Sequence, residues 1–116
     1  MNFWKNLETD TQWKEILEQS KQEPILVFKH STRCSISVMA LDRINRSWDS
    51  SLESGISAWY LDLLNYREIS NQIATDTGIE HQSPQLLLFR DGQCQLSETH
   101  QAIRLDDFLR KAGLKN

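Results

Sequence analysis

Two residues near the end of an apolar segment could do thiol chemistry. Cys34 follows the segment ILVFKHSTR, and Ser37 stands three residues later, where a two-thiol redox protein often has its second cysteine. This spacing allows three interpretations: a redox site with one thiol, a two-thiol site that has lost one cysteine, or an unreactive cysteine in a loop. A reactive cysteine has to be held partly as the thiolate. The elements that surround Cys34 therefore decide between the three.

The first half of the chain predicts that Cys34 lies where a strand ends and a helix begins. Thr9 and Gln12 have the spacing of a helical capping box, and Pro24 ends that first helix and starts the buried strand PILVF. The following helix shows an apolar stripe with a period of four residues, formed by Ile36, Ala40, Ile44, Trp48 and Leu52.

The second half predicts three more strands and two more helices. SAWYLDLL is typical of a second buried strand, Asn65 is a candidate helix N-cap, and Gly78 suits a left-handed residue at that helix's end. A strand at residues 86–89, the turn Asp91-Gly92 and a returning strand with Cys94 predict a hairpin. An amphipathic helix on Leu105, Phe108, Leu109 and Ala112 closes the chain, and a short strand near residues 3–7 would open it.

This order, α-β-α-β-α-β-β-α, predicts an α/β fold. We expect a mixed β-sheet of four to five strands with helices on both faces. The 116 residues suffice for one core and show no linker or repeat, so residues 1–116 are expected to form a single domain.

The predicted position of Cys34 favours a reactive thiol. Ligands of open α/β sheets collect where strands end and helices begin, and the helix N-terminus stabilises an anion such as a thiolate. Lys29, His30 and Arg33 could add positive charge, and the hydroxyl of Ser37, one helical turn on, could reach the sulfur.

Composition and charge argue against several other functions. The net charge is -3, and the sequence has no cluster of basic residues of the kind that nucleic-acid-binding proteins usually carry. The N-terminus shows no signal peptide, and no apolar run is long enough to span a membrane. Two cysteines are too few for a disulfide framework, so we expect a cytoplasmic protein. The three histidines have no zinc-site spacing, and we expect no metal.

Three segments make the sequence resemble a known family. KHSTRCSISVMA, LDLLNYREISNQIA and GIEHQSPQLLLFRDG, in this order and spacing, resemble the monothiol bacilliredoxins, which are bacillithiol-system redox proteins of thioredoxin-like fold. The resemblance covers about residues 3–112. It departs from the family pattern at Ser35, where a proline commonly follows the cysteine, and at Arg33, where a small polar residue is usual.

The resemblance implies a role for each site residue. Cys34 would be the single redox-active thiol, and Ser37 would replace the resolving cysteine of two-thiol relatives. Pro84 would be a cis-proline that faces Cys34, and the backbone of Ser83 would pair with an extended thiol substrate. Thr32 and Arg33 would also contact the substrate. His30 and His81, which flank these segments, are candidate pocket residues.

The function implied is removal of a low-molecular-weight thiol from S-thiolated proteins. The cysteine would form a mixed disulfide, with bacillithiol or another small thiol as co-substrate and no tightly bound cofactor. The partners would be S-thiolated proteins, and the chain would be a monomer or weak dimer. Two alternatives remain: a module that binds an iron–sulfur cluster, as in monothiol glutaredoxins, and a thioredoxin-like stress or adaptor protein without turnover. The cluster-binding motif would be Cys-Gly-Phe-Ser, which Cys-Ser-Ile-Ser matches only at its ends.

Overall fold

The computed structural model describes residues 3–116 and shows a five-stranded mixed sheet between helices. The sheet has the strand order β1-β3-β2-β4-β5, in which β1, β2 and β3 are parallel and β4 is antiparallel to both β2 and β5. The expected α/β fold class, including five strands, is confirmed. The elements are β1 (Trp4–Asn6), α1 (Asp10–Gln19), β2 (Ile25–His30), α2 (Ser35–Ser47), β3 (Ser57–Asp62), α3 (Arg67–Thr77), β4 (Gln85–Arg90), β5 (Gln93–Thr99) and α4 (Leu105–Lys111), with short 3-10 helices at Ser50–Ser54 and His100–Ala102.

Local signals in the sequence place several boundaries correctly. Thr9 caps α1 through a capping box in which its side chain accepts a hydrogen bond from the backbone of Gln12, and the Gln12 side chain binds the Thr9 backbone. Gly78 ends α3 with a left-handed φ of 72°. Asp91 and Gly92 also have positive φ angles, of 54° and 74°, which the tight turn between β4 and β5 requires.

The second helix differs from the prediction in its length and in its inner face. It ends at Ser47, and Leu52 belongs to a separate 3-10 helix whose start is capped by the Asp49 side chain. Its buried residues are Ser37, Ala40 and Ile44, whereas Ile36 is exposed. The stripe that begins at Ile36 is therefore wrong by one residue in the first turn, where Ser37 takes the inner position.

The N-cap predicted for α3 is also wrong by one residue. The helix is preceded by Tyr66, and the side chain of Asn65 instead donates a hydrogen bond to Asp62, at 2.7 Å. Asp62 also accepts a hydrogen bond from the backbone of Leu64. The polar side chains after β3 thus stabilise the turn and leave the helix start uncapped.

The alternation of side chains along β2 supplies a core on each face of the sheet. Leu26 and Phe28 pack with α2 and α4, while Ile25 and Val27 pack with α1 and α3. Because successive side chains of a strand point to opposite faces, the next two residues, Lys29 and His30, must also diverge. This divergence puts one polar side chain under each layer of helices.

Candidate functional site

The pairing of β2 with β4 brings the predicted site segments to one edge of the sheet. Lys29 pairs with Gln85 in an antiparallel ladder. The chain that leaves β2 toward Cys34 therefore starts beside the chain that enters β4 through Ser83 and Pro84. This edge is also the carboxyl end of the parallel strands, where α/β folds commonly bind ligands.

Cys34 occupies the N-cap position of α2. Its backbone N–H donates to the carbonyl of Ser31 at 3.2 Å, and its carbonyl accepts from the N–H of Val38 at 3.0 Å, which closes the first helical turn. Its side chain makes no capping hydrogen bond and is partly exposed. The sulfur is therefore free to react while the backbone around it is fixed.

The Ser37 side chain is buried and hydrogen-bonds to the chain before Cys34. Its hydroxyl lies 2.7 Å from Nδ1 of His30 and accepts a hydrogen bond from the Ser31 backbone N–H at 3.1 Å. The side chain is 0% exposed, and within residues 3–116 no hydrogen bond joins it to Cys34. The hydrogen bond expected between this hydroxyl and the sulfur is therefore not among its contacts. Because it holds Ser31, it fixes the loop that presents Cys34.

His30 is enclosed under α2 and does not line an open pocket. It is 3% exposed, and its ring packs beside Phe28 and Tyr60, with centroids 5.8 and 5.4 Å away. Burial lowers the pKa of His30, and the negative charge of Asp62 opposes that effect only in part. The ring is thus held in its neutral form as a partner for Ser37, which corrects the expectation of a pocket residue.

Of the three cationic residues expected near Cys34, Arg33 alone is exposed in the loop next to it. Arg33 and Thr32 are exposed in the loop before the cysteine, where an incoming molecule can reach them. Lys29 instead extends to the opposite face, where its Nζ donates to the carbonyl of Ser70 at 3.2 Å. With His30 neutral, Arg33 is the cation of this loop.

The site has two walls at this edge of the sheet. The loop before Cys34 is the first, and Ser83 and Pro84 form the second. The peptide bond between them is cis. The Pro84 carbonyl accepts a hydrogen bond from the His100 N–H at 3.1 Å, which ties this wall to the end of β5. Within the described part of the chain, neither backbone group of Ser83 has a partner, and its buried hydroxyl has none either.

Behind that wall lies a cluster of buried and half-buried polar residues that the sequence did not reveal. We name it the Lys29 cluster; it consists of Lys29, Ser70, His81 and Gln85. Nδ1 of His81 lies 2.9 Å from the Ser70 hydroxyl, and Nε2 of Gln85 donates to the carbonyl of Glu80 at 3.1 Å. Burial lowers the pKa of His81, and the charges of Lys29 and Arg67 lower it further. The one signal in the sequence was a lysine inside an otherwise buried strand.

Cys94 lies far from Cys34. It pairs with Phe89, which pairs with Ile25 at the opposite end of β2 from His30. Five residues of strand correspond to roughly 16 Å, whereas a disulfide requires α-carbons within about 7 Å. Burial also raises the pKa of the Cys94 thiol. Cys94 therefore cannot resolve a disulfide on Cys34 in this fold.

Two further features of residues 3–116 concern metal binding and membranes. In this range no group of three or more His, Cys, Asp or Glu side chains is arranged to hold a metal ion. No helix of the same range is both long and apolar enough to cross a membrane.

Comparisons with known proteins agree with this geometry. The sequence profile of the family described as monothiol bacilliredoxin BrxC matches residues 5–108. A solved structure described as "a putative oxidoreductase with a thioredoxin fold" is 29% identical, with a TM-score of 0.77 over 93% of this chain and 91% of that one.

Two thioredoxins share the fold at lower identity. Thioredoxin f2 of Chlamydomonas reinhardtii is 14% identical, with a TM-score of 0.73 over 97% of this chain and 99% of that one. The thioredoxin of Malassezia sympodialis is 17% identical, with a TM-score of 0.69 over 96% of this chain and 87% of that one. Together with the profile match, the fold supports a thiol oxidoreductase.

Proposed function

This chain belongs to the monothiol bacilliredoxin family, and we propose that its Cys34 removes a small thiol of the bacillithiol type from S-thiolated proteins. The proposal rests on the position of Cys34, which has no second thiol of the described chain within reach. Cys34 is partly exposed at a helix N-terminus, the position three residues on holds a buried serine, and Cys94 is at the far end of the sheet. A cysteine so placed can exchange disulfides but has no second thiol within the chain to release it.

The reaction would proceed in two exchanges. In the first, the Cys34 thiolate attacks the small-thiol sulfur of the S-thiolated protein, a new S–S bond forms, and the target cysteine leaves as a thiolate that takes up a proton. In the second, another small-thiol molecule, as thiolate, attacks the small-thiol sulfur on Cys34. The products are the symmetrical small-thiol disulfide and free Cys34, so the enzyme returns to its starting state.

The two walls of the site would bind different parts of the substrate. The unpaired backbone of Ser83 can hydrogen-bond to an extended segment beside the disulfide. Thr32 and Arg33 are exposed next to Cys34 and can contact the small thiol, with Arg33 favouring an anionic one. Met39, which is 61% exposed, and the exposed Ile36 offer an apolar surface to the protein part.

The experiment that tests this proposal measures release of bacillithiol from an S-bacillithiolated model protein. Bacillithiol is supplied as the second thiol, and free target thiol is followed by mass spectrometry. We expect turnover with the wild type and with Cys94→Ser, the matched control, and none with Cys34→Ser. Release no faster than with bacillithiol alone would contradict the proposal and favour an adaptor without turnover.

A further inference from the structure

Lys29 is a buried cation without a carboxylate partner in the described chain. Its side chain is 1% exposed, and within residues 3–116 its Nζ forms no salt bridge and donates one hydrogen bond, to the carbonyl of Ser70. An ammonium group carries three N–H donors, and burying it without a carboxylate is unfavourable for folding. A residue that lowers stability in this way is expected to serve the site beside it.

The Lys29 cluster connects this cation to the wall that carries Pro84. Lys29 binds the Ser70 carbonyl on α3, and the Ser70 hydroxyl lies 2.9 Å from Nδ1 of His81. His81 precedes Ser83 by two residues, so this contact is made within the loop that forms the wall.

Gln85 supplies a second attachment for the same loop. It is the cross-strand neighbour of Lys29, and such neighbours have Cβ atoms about 5 Å apart. Its Nε2 donates to the carbonyl of Glu80 at 3.1 Å, while its buried Oε1 has no partner in the described chain. The loop between α3 and β4 is thus held by two hydrogen bonds, one at Glu80 and one at His81.

We propose that Lys29 is a positioning residue for thiol exchange, which through Ser70 and His81 fixes the loop that carries Ser83 and Pro84. This role rests on the proposed function, because it assumes that the disulfide substrate lies along that loop. Lys29 itself is closed off from solvent and would not touch the substrate. Its effect should therefore appear in the reaction with a disulfide and not in the intrinsic reactivity of Cys34.

The test compares Lys29→Met with the wild type in two reactions of Cys34. Alkylation by iodoacetamide reports on the thiol alone, whereas exchange with oxidised bacillithiol and with oxidised glutathione also requires the loop. We expect alkylation within about twofold of wild type and exchange slower by roughly tenfold, the effect of one buried hydrogen bond to a charged group. Lys14→Met, an exposed lysine on α1, is the matched control and should change neither rate.

Stability separates positioning from general damage. Methionine removes a buried charge, and the Ser70 carbonyl lies within α3, so we expect the urea midpoint of Lys29→Met at pH 7 to be no lower than that of the wild type. A second pair of variants tests the connection itself: Ser70→Ala should slow exchange as Lys29→Met does. His81→Asn keeps a polar atom near the Nδ1 position and should retain most of the rate.

Each remaining outcome contradicts the role of Lys29, and one of them also contradicts the proposed function. If the wild type exchanges and Lys29→Met exchanges equally fast, the positioning role is wrong and the proposed function stands. If alkylation and exchange fall together, or if exchange falls only because Lys29→Met is less stable, the positioning role is also wrong. If the wild type reacts with neither disulfide, the proposed function fails and the role of Lys29 fails with it.

Discussion

Replacing Ser37 with alanine should destabilise the protein although it removes a single oxygen atom. The lost hydroxyl leaves the Ser31 N–H and Nδ1 of His30 without their partner, in a region where His30 is 3% exposed and Ser31 is buried. A buried polar group that loses its partner costs about 1–3 kcal/mol, which gives roughly 2–6 kcal/mol for the two together. The loop before Cys34 should loosen as well, because Ser31 also holds the Cys34 N–H through its carbonyl.

Urea unfolding at pH 7 measures this effect directly. The matched control is Ser35→Ala, which changes an exposed serine in the first turn of the same helix and should shift the free energy of unfolding by no more than about 0.5 kcal/mol. If Ser37→Ala is as stable as Ser35→Ala, the contacts of Ser37 do not hold the loop that presents Cys34.

Three further predictions concern protonation. Burial lowers the pKa of His30 and His81 below 6.5, so just below that pH the unfolded chain binds more protons than the folded protein. The urea midpoint should therefore fall as the pH drops below 6.5. A midpoint that stays constant down to pH 5 would contradict this. Burial lowers the pKa of Lys29 to about 8 from 10.5, so Lys29 should add up to about 3.4 kcal/mol to the free energy of unfolding between pH 8 and 10.5. The raised pKa values of Cys94 and Tyr60 act in the opposite direction, so this contribution is read as the difference between wild type and Lys29→Met. Equal pH profiles of the two proteins would refute the burial of the Lys29 charge. Lys29→Met should also raise the pKa of His81 in an NMR titration, whereas an unchanged value would show that the two residues do not interact.

The sequence predicts the elements of this site better than the directions of its side chains. Pro24, the capping box at Thr9 and the Asp91-Gly92 turn act locally, so they locate a strand, a helix and a hairpin without knowledge of the fold. The position of Cys34 immediately before α2 follows from the sequence distance between Cys34 and β2. These features place the thiol correctly at the edge of the sheet.

Side-chain directions depend on packing that the sequence does not display. All six residues of β2 are buried, so no polar alternation shows which face Lys29 and His30 occupy. The inward position of Ser37 depends on its contacts with His30 and Ser31, and counting from Ile36 assigned the inner face wrongly in that turn. Both errors concern contacts between separate elements: Lys29 contacts Ser70 on α3, and Ser37 contacts His30 on β2.

The most direct test of the central claim is the mass of the protein after incubation with oxidised bacillithiol, followed by peptide mapping. The isolated position of Cys34 predicts one bacillithiol moiety on Cys34, none on Cys94, and complete removal when free bacillithiol is added. Absence of an adduct, or a disulfide between Cys34 and Cys94 instead, would contradict a mechanism that depends on one thiol.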